Sequence, residues 1–185
     1  MDRDRRRWNK KHRDGGAPTH PDPFLIRFGR LAPGKRALDI AAGSGRNSLW
    51  LADQGFVVDA LDISEVGLGM FGASNERIRR VCVDLDGYDI RPAAYDLIVN
   101  SRFLCRRLFP GIIIGLRPRG CLVFQSYLDV AEGLSDSITD RDHLLKPNEL
   151  LRAFSSLHII HYEEQPSAAP GAPFPLASLA AVRLP

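Results

Sequence analysis

Two glycines and an aspartate have residue types and a spacing suited to holding a nucleoside. Gly43 and Gly45 follow a short apolar run and precede a stretch with a helical pattern. Glycine lets the backbone turn tightly and approach a ligand without a Cβ, and the N–H groups that open a helix bind anions. Asp62 follows at close to the spacing, roughly 20 residues, at which an acidic side chain binds ribose hydroxyls. The pattern favours a nucleoside-containing ligand over a purely structural turn.

Charge distinguishes between two kinds of nucleoside cofactor. A dinucleotide carries a doubly anionic pyrophosphate and usually needs a third glycine, where this chain has Ser48. S-adenosyl-L-methionine carries a sulfonium, an ammonium and one carboxylate, so it suits a pocket with several carboxylates. Asp39, Asp62 and Asp84 would supply them. Taken singly, Asp39 could instead orient the glycine turn, and Asp84 could be a turn residue.

The elements that must position these residues alternate regularly along the chain. The pattern predicts strands at 37–40, 56–61, 81–83, 95–99 and 121–127, and helices at 24–31, 46–54, 65–71, 103–116 and 148–156. Such alternation predicts a parallel, doubly wound sheet. Ligands bind such sheets at the carboxyl ends of the strands, and Gly43, Asp62, Asp84 and Asn100 all lie there.

The last two predicted strands differ from the others in their connection. Strands at 158–162 and 176–184 are joined by 165–175, a segment rich in Pro and Ala with no helical pattern. We therefore expect them to form an antiparallel hairpin. The predicted fold is a Rossmann-like, doubly wound, mostly parallel seven-stranded sheet with a C-terminal antiparallel hairpin.

Composition places the chain among ordinary globular proteins. Its 185 residues are 44% hydrophobic and 25% charged, which fits one domain. No apolar stretch approaches the roughly 20 residues of a membrane span, and no secretory signal opens the chain. The three cysteines share no close spacing, which indicates reduced core thiols and no metal site. We expect a cytoplasmic protein without membrane association.

The net charge of +3 is unevenly distributed, since residues 1–13 contain seven Arg or Lys and two Asp. We divide the chain into a basic N-terminal arm with a Pro-rich connector, 1–23, and a single domain, 24–185. Such an arm could contact nucleic acid or an anionic membrane. The simpler expectation is a solvated and partly disordered terminus. Trp8, an aromatic residue in this polar arm, suggests either a lid over the site or packing at the domain edge.

These motifs resemble the class I S-adenosylmethionine-dependent methyltransferases, specifically the small bacterial branch that includes the tellurite-resistance and thiopurine-type enzymes. The resemblance is carried by 38–52, 57–64, 95–100, 102–110, 116–124 and 145–150, and it covers roughly 24–184. It implies the class I methyltransferase fold, with the terminal hairpin beside the fifth strand. It also implies S-adenosyl-L-methionine as cofactor, with S-adenosyl-L-homocysteine as product.

The resemblance also implies roles for particular residues. The methionine part of the cofactor would be surrounded by Asp39, Ala41, Gly43 and Gly45. Asp62 would hold the ribose diol and Ile63 would pack on adenine. Asp84 and Leu85 would contact the adenine edge, and Asn100 would lie beneath the cofactor.

Methyl transfer from a sulfonium needs alignment more than acid–base chemistry, so the catalytic residues stay unassigned. If the acceptor must lose a proton, the candidate bases are His12, His20, Tyr127 and His143. A small-molecule acceptor is favoured and nucleic acid is disfavoured. The acceptor atom and the oligomeric state stay open.

Two alternatives come from other functional classes. The first is an NAD(P)-dependent oxidoreductase, supported by Arg46 as a partner for pyrophosphate. The second is a non-catalytic cofactor-binding or RNA-associated module, suggested by the basic arm.

Overall fold

A computed structural model describes residues 2–15, 18–71, 75–129, 141–165, 167 and 175–185. The helices are α1 (Asp2–Arg13), α2 (Pro23–Phe28), α3 (Arg46–Asp53), α4 (Glu65–Met70), α5 (Leu108–Gly115) and α6 (Glu149–Ala153). The strands are β1 (Arg36–Ile40), β2 (Val57–Asp62), β3 (Ile78–Cys82), β4 (Tyr95–Ser101), β5 (Leu116–Tyr127), β6 (His158–Glu164) and β7 (Leu176–Val182).

The strands form one seven-stranded sheet in the order β3-β2-β1-β4-β5-β7-β6. The pairs β2–β3, β1–β2, β1–β4 and β4–β5 are parallel, whereas β7 runs antiparallel to both β5 and β6. The predicted fold class is therefore confirmed, including the hairpin beside the fifth strand. The chain adds β2 and β3 on one side of β1 and adds β4 and β5 on its other side. The carboxyl ends of β1 and β4 therefore flank the crevice where doubly wound sheets bind ligands.

Successive side chains of each strand point to opposite faces of the sheet. Both faces are apolar in the central strands, and helices cover both of them. Leu38 faces a core cluster that contains Ile112 and Phe154 from α5 and the end of α6. Ala37 faces a second cluster that contains Leu25 and Leu51 from α2 and α3. This two-sided burial explains the nearly continuous apolar runs of the central strands.

Local signals set where the helices begin. Asp22 caps α2 by accepting the Phe24 N–H at 3.0 Å, and Pro23 occupies the first turn, where its missing N–H costs nothing. Ser64 caps α4 by accepting the Gly67 N–H at 3.0 Å. The cap of α4 fixes the chain directly after Asp62, at the end of β2.

Some predicted boundaries were wrong. β3 starts three residues earlier than expected, at Ile78, and β5 starts at Leu116 rather than at residue 121. The predicted helix at 103–116 is shortened to Leu108–Gly115, because residues 103–107 form a loop at the end of β4. The cysteine prediction holds only for Cys121, which is buried, whereas Cys82 is exposed.

The N-terminal segment is helical, which contradicts the expected partial disorder, whereas most of its residues are exposed as expected. Residues 2–13 form helix α1, which packs against α4 and buries Asn9 and His12. Ion pairs one turn apart support the helix, such as Arg5 with Asp2 and Arg7 with Asp4. The division of the chain at residue 23 stays a prediction. Within the described residues, no helix is long and apolar enough to cross a membrane.

Candidate functional site

The turn after β1 uses left-handed backbone at several positions. Gly43 has a φ of 56° and Gly45, which precedes α3, has a φ of 83°. A Cβ at Gly45 would also lie 2.2 Å from Cγ of Phe71, so this position excludes any side chain. The turn thus brings bare backbone to the carboxyl end of β1.

Ala41 adopts a φ of 55° in the same turn, although it has a Cβ. Left-handed backbone costs a non-glycine residue about 1–2 kcal/mol. We expect Ala41→Gly to raise the free energy of unfolding by about 1 kcal/mol, since relief of this strain exceeds the added entropy of the unfolded chain. Urea unfolding measures the change. Ala42→Gly is the matched control, because Ala42 is buried and lacks positive φ, and it should lower stability instead. Equal losses in both variants would contradict strain at Ala41.

Asp62 ends β2 and connects that strand to the glycine turn. Its carboxylate accepts the Gly43 N–H at 2.7 Å with one oxygen and the Ser64 N–H at 2.7 Å with the other. Burial raises the pKa of Asp62, and these two backbone N–H groups partly offset that effect. Asp62 also lines the cavity described below, so lone pairs not used by the backbone can face a ligand.

Asp39 lies underneath the turn rather than in the cavity wall. It is 1% exposed, and its carboxylate accepts a hydrogen bond from Ser48 Oγ at 2.6 Å. Burial raises the pKa of Asp39 to about 7, although the Ser48 bond lowers it. Ser48 belongs to α3, so this hydrogen bond joins β1 to the helix on the far side of the glycine turn. Asp39 therefore acts on the turn through α3.

The ends of β3 and β4 complete the wall. Asp84 accepts the Asp86 N–H at 3.0 Å and so caps a single 3₁₀ turn, Leu85–Gly87. Asn100 is buried, and its amide donates to the Phe103 carbonyl at 2.7 Å. This bond shapes the loop after β4, where Arg102 adopts a φ of 59°.

A cavity of about 490 Å³ opens at this end of the sheet, within the range of small-molecule sites. Six of the nine predicted cofactor-binding residues line it, namely Ala41, Gly43, Asp62, Ile63, Asp84 and Leu85. The other three, Asp39, Gly45 and Asn100, support the turn and the loop from behind. Their predicted contact with a cofactor stays a prediction, and their placement indicates positioning roles.

The family profile of the tellurite resistance protein TehB matches residues 17–165. The chain belongs to the TehB family. This match covers β1 to β6 and the whole glycine turn, whereas α1 lies outside it. No curated protein sequence matches the chain.

Solved structures share the fold at low sequence identity. TehB from Haemophilus influenzae is 18% identical with a TM-score of 0.73, over 86% of this chain and 61% of that one. This chain thus spans about six-tenths of that protein's length. Geranyl diphosphate C-methyltransferase from Streptomyces coelicolor, bound to S-adenosyl-L-homocysteine, is 14% identical with a TM-score of 0.73, over 99% and 98% of the two chains. The 1,6-didemethyltoxoflavin-N1-methyltransferase of Burkholderia thailandensis is 18% identical with a TM-score of 0.67, over 88% and 77%. The fold is that of S-adenosylmethionine-dependent methyltransferases.

Opposite charges lie on the two sides of the glycine turn. Asp62, Asp84 and Asp86 lie at the ends of β2 and β3. Arg46 and Arg102 lie at the start of α3 and the end of β4, on the other side of the glycine turn. The carboxylates at the strand ends therefore lie where a nucleoside would bind. Helix α1 adds Asp4, Arg7 and Lys11 to the wall.

Arg46 already binds other groups of the protein. Its guanidinium donates to Ser101 Oγ at 2.8 Å and to the His20 carbonyl at 3.3 Å, and it approaches Asp22 Oδ2 at 3.5 Å. Burial lowers the pKa of Arg46, and Asp22 counters that effect. These bonds direct Arg46 toward the connector before α2 rather than toward a pyrophosphate.

Sequence reasoning missed part of the wall. The described wall also contains residues from α1 and from the loop after β4, namely Asp4, Arg7, Lys11, Ser101, Phe103 and Leu104. The loop residues could have been found because they directly follow a strand at the binding edge.

Three of the four candidate bases, His12, Tyr127 and His143, line the cavity, whereas His20 is exposed outside it. Among the described residues, no group of three His, Cys, Asp or Glu side chains could hold a metal ion.

Proposed function

We propose that this chain binds S-adenosyl-L-methionine and transfers its methyl group to a small-molecule acceptor. The observation that carries the proposal is the Asp62 carboxylate, which is held by two backbone N–H groups at 2.7 Å and lines the cavity. Rigid carboxylates at this strand end suit a ribose diol, because charged acceptors make strong hydrogen bonds to hydroxyls.

The other contacts follow from the same edge of the sheet. Ile63 and Leu85 offer apolar surface for an adenine ring, and Asp84 offers an acceptor for its edge. Gly43 and Ala41 leave room for the methionine part beside the turn. When bound, the cofactor supplies an electrophilic methyl group on a sulfonium, and its positive charge suits the three aspartates at the ends of β2 and β3, namely Asp62, Asp84 and Asp86.

The protein's own contribution to the reaction is placement. Asn100 fixes the loop after β4, which carries Arg102 and Phe103 in the cavity wall. An acceptor bound there would be aligned in a partly closed space, and alignment contributes a large share of the rate of a bimolecular transfer. His12, Tyr127 and His143 are the cavity groups that could take a proton from an acceptor.

A small-molecule acceptor is supported by two proteins of the same fold. One binds geranyl diphosphate and the other binds 1,6-didemethyltoxoflavin. The competing oxidoreductase loses its main support, because Arg46 is bonded to Ser101, His20 and Asp22.

Calorimetric titration with S-adenosyl-L-methionine, S-adenosyl-L-homocysteine and NADH tests the proposal. We expect micromolar binding of the first two ligands and none of NADH. Binding of NADH alone would favour the oxidoreductase. Binding of none, together with salt-sensitive binding of RNA that is lost on deletion of residues 1–13, would favour the non-catalytic module.

A further inference from the structure

The edge of the sheet opposite the cavity carries a row of arginines. The parallel strands begin at this edge, and β7 ends there because it runs antiparallel to β5. We call the row the arginine stripe, and it consists of Arg36, Arg79, Arg91, Arg117, Arg119 and Arg183. None of the six belongs to the cavity wall as the structure describes it. The stripe is therefore separate from the proposed cofactor site.

Three arginines of the stripe share one buried carboxylate. Asp59 lies within β2 and is 1% exposed. Its carboxylate oxygens lie 2.8 Å from Nε of Arg79, 3.4 Å from Nη2 of Arg91 and 3.5 Å from Nη2 of Arg36. Each guanidinium has five N–H donors, and the side chains of Arg79 and Arg91 are 58% and 61% exposed. Both therefore keep donors available to a ligand.

Asp96 links the second half of the stripe to the first. It accepts the backbone N–H of Arg36 at 2.9 Å and the guanidinium of Arg117 at 3.2 Å. Arg183 donates to the backbone carbonyl directly before Arg117 at 2.6 Å. Arg119 donates its backbone N–H to the Arg183 carbonyl at 2.7 Å. These contacts place the six arginines along one continuous edge.

Arg119 occupies an unfavourable backbone conformation at this edge. Its φ of 65° is left-handed, which crowds the Cβ of any residue other than glycine. Its side chain is exposed, and its guanidinium binds no other group in the described part of the chain. Backbone strain of this kind concentrates at functional sites. The turn before β5 thus presents a positive charge where glycine would fit more easily.

The stripe has an excess of positive charge along its whole length. Within the described residues, the carboxylates paired with its six arginines are Asp59 and Asp96, which leaves a net charge of +4. From β3 to β7 the sheet takes five steps of about 4.8 Å, so the stripe is roughly 24 Å long. A positive surface of this length suits a chain of regularly spaced anions better than a single anion.

The phosphates of a single nucleic-acid strand fit this surface. Guanidinium groups bind phosphate oxygens through paired hydrogen bonds. Sites for single strands follow the backbone over about 4–16 nucleotides, and the stripe is long enough for the shorter of these. Ile114 and Leu184 are 49% and 59% exposed beside Arg183, so they offer apolar contact to unpaired bases. This combination favours nucleic acid over an acidic polypeptide, which has no bases.

We propose that the arginine stripe binds the phosphate backbone of single-stranded nucleic acid. The site lies at the opposite edge of the sheet from Asp62, and it works independently of the cofactor cavity. Its binding does not depend on base sequence, because contacts to phosphates carry no sequence information. The affinity falls steeply with salt, since each neutralised phosphate releases counterions.

Labelled oligouridine and oligothymidine of about twelve nucleotides test the proposal by fluorescence anisotropy. We expect both to bind the wild-type protein with micromolar affinity at low salt. A triple variant, Arg79→Gln with Arg91→Gln and Arg119→Gly, should raise both dissociation constants about twentyfold. It should also make the slope of log affinity against log salt shallower by about 2.

This triple variant keeps the contacts that the fold needs. Asp59 still has Arg36 and the Tyr95 hydroxyl as partners, and glycine suits the left-handed backbone at residue 119. Affinity for S-adenosyl-L-homocysteine should therefore equal that of the wild-type protein. A wild-type protein that binds the oligonucleotides but not S-adenosyl-L-homocysteine would overturn the proposed function and support the stripe.

The matched control removes three charges from α1 instead. Arg3→Gln with Arg6→Gln and Arg13→Gln changes exposed residues by the same total charge, and its oligonucleotide affinity should stay within about twofold of wild type. Equal losses in the two triple variants, or a loss in the control alone, would overturn the stripe as the site. Binding of polyglutamate, or of vesicles of phosphatidylcholine and phosphatidylserine, without binding of either oligonucleotide would overturn nucleic acid as the partner.

Discussion

S-adenosyl-L-homocysteine should bind the Asp62→Ala variant at least thirtyfold more weakly than it binds the wild-type protein. This loss corresponds to about 2 kcal/mol, the free energy of charge-assisted hydrogen bonds from a ribose diol to a carboxylate. Asp62 also holds the Gly43 and Ser64 N–H groups, so its removal loosens the glycine turn as well. Both effects act in the same direction. Calorimetric titration at equal ionic strength measures the change.

Two further variants separate these effects. Asp62→Asn keeps one carbonyl acceptor for a backbone N–H but loses the charge, so its affinity should fall between those of wild type and Asp62→Ala. Asp89→Ala removes a carboxylate that is 91% exposed and outside the cavity wall, and it should bind normally. A folded Asp62→Ala variant with unchanged affinity would remove Asp62 from the site.

The strand-end residues could be predicted from sequence because their signals are local. Gly43 and Gly45 require a tight turn wherever they follow a strand, and the carboxyl ends of parallel strands meet at one edge. Asp62, Asp84 and the loop after β4 follow from that rule alone. The hairpin was accessible from its short connection without a helical pattern, whereas its place beside the fifth strand followed from the family resemblance.

The role of α1 could not be predicted in this way. Its docking depends on Asn9 reaching Ser64 and on the space at Gly43 and Gly67, and these contacts join residues far apart in sequence. Composition indicated only a charged arm. Trp8 and His12 are four residues apart and so share one face of a helix, which was the one local sign of an inward side.

The position of Asp39 depends on tertiary structure that no local pattern gives. The family resemblance implies a cofactor contact for Asp39, and the residue pattern also allowed a role in orienting the glycine turn. The structure places its carboxylate against Ser48 beneath the turn. Its neighbours Leu38 and Ile40 face the core on one side of the sheet, so Asp39 must point to the other side. On that side α3 covers it. Whether a carboxylate there reaches a ligand depends on where the helix lies, and no local pattern encodes that position.

The burial of Asp39 predicts an unusual dependence of stability on pH. Its pKa is raised to about 7 by burial, against about 3.9 in the unfolded chain. Between these values the native state holds a proton that the unfolded state has lost, so the free energy of unfolding falls as pH rises. Above about pH 8 both states are ionised and the decline ends. Between pH 5 and pH 7 this group alone removes about 2 kcal/mol, and the rest of the decline follows between pH 7 and pH 8.

Asp39→Asn should abolish this decline, because its amide does not titrate and can still bond to Ser48. The stability of Asp39→Asn relative to wild type should therefore increase by about 3 kcal/mol between pH 5 and pH 8. Urea unfolding at both pH values measures this change in relative stability.

Asp59→Asn is the control. Burial raises the pKa of Asp59, but hydrogen bonds from Arg79 and Tyr95 outweigh that effect and place the pKa below its ordinary value. Asp59 thus titrates below pH 5, and its variant should shift stability equally at both pH values. Parallel wild-type and Asp39→Asn profiles would mean that Asp39 is ionised at neutral pH and that water or a cation reaches it beneath the turn.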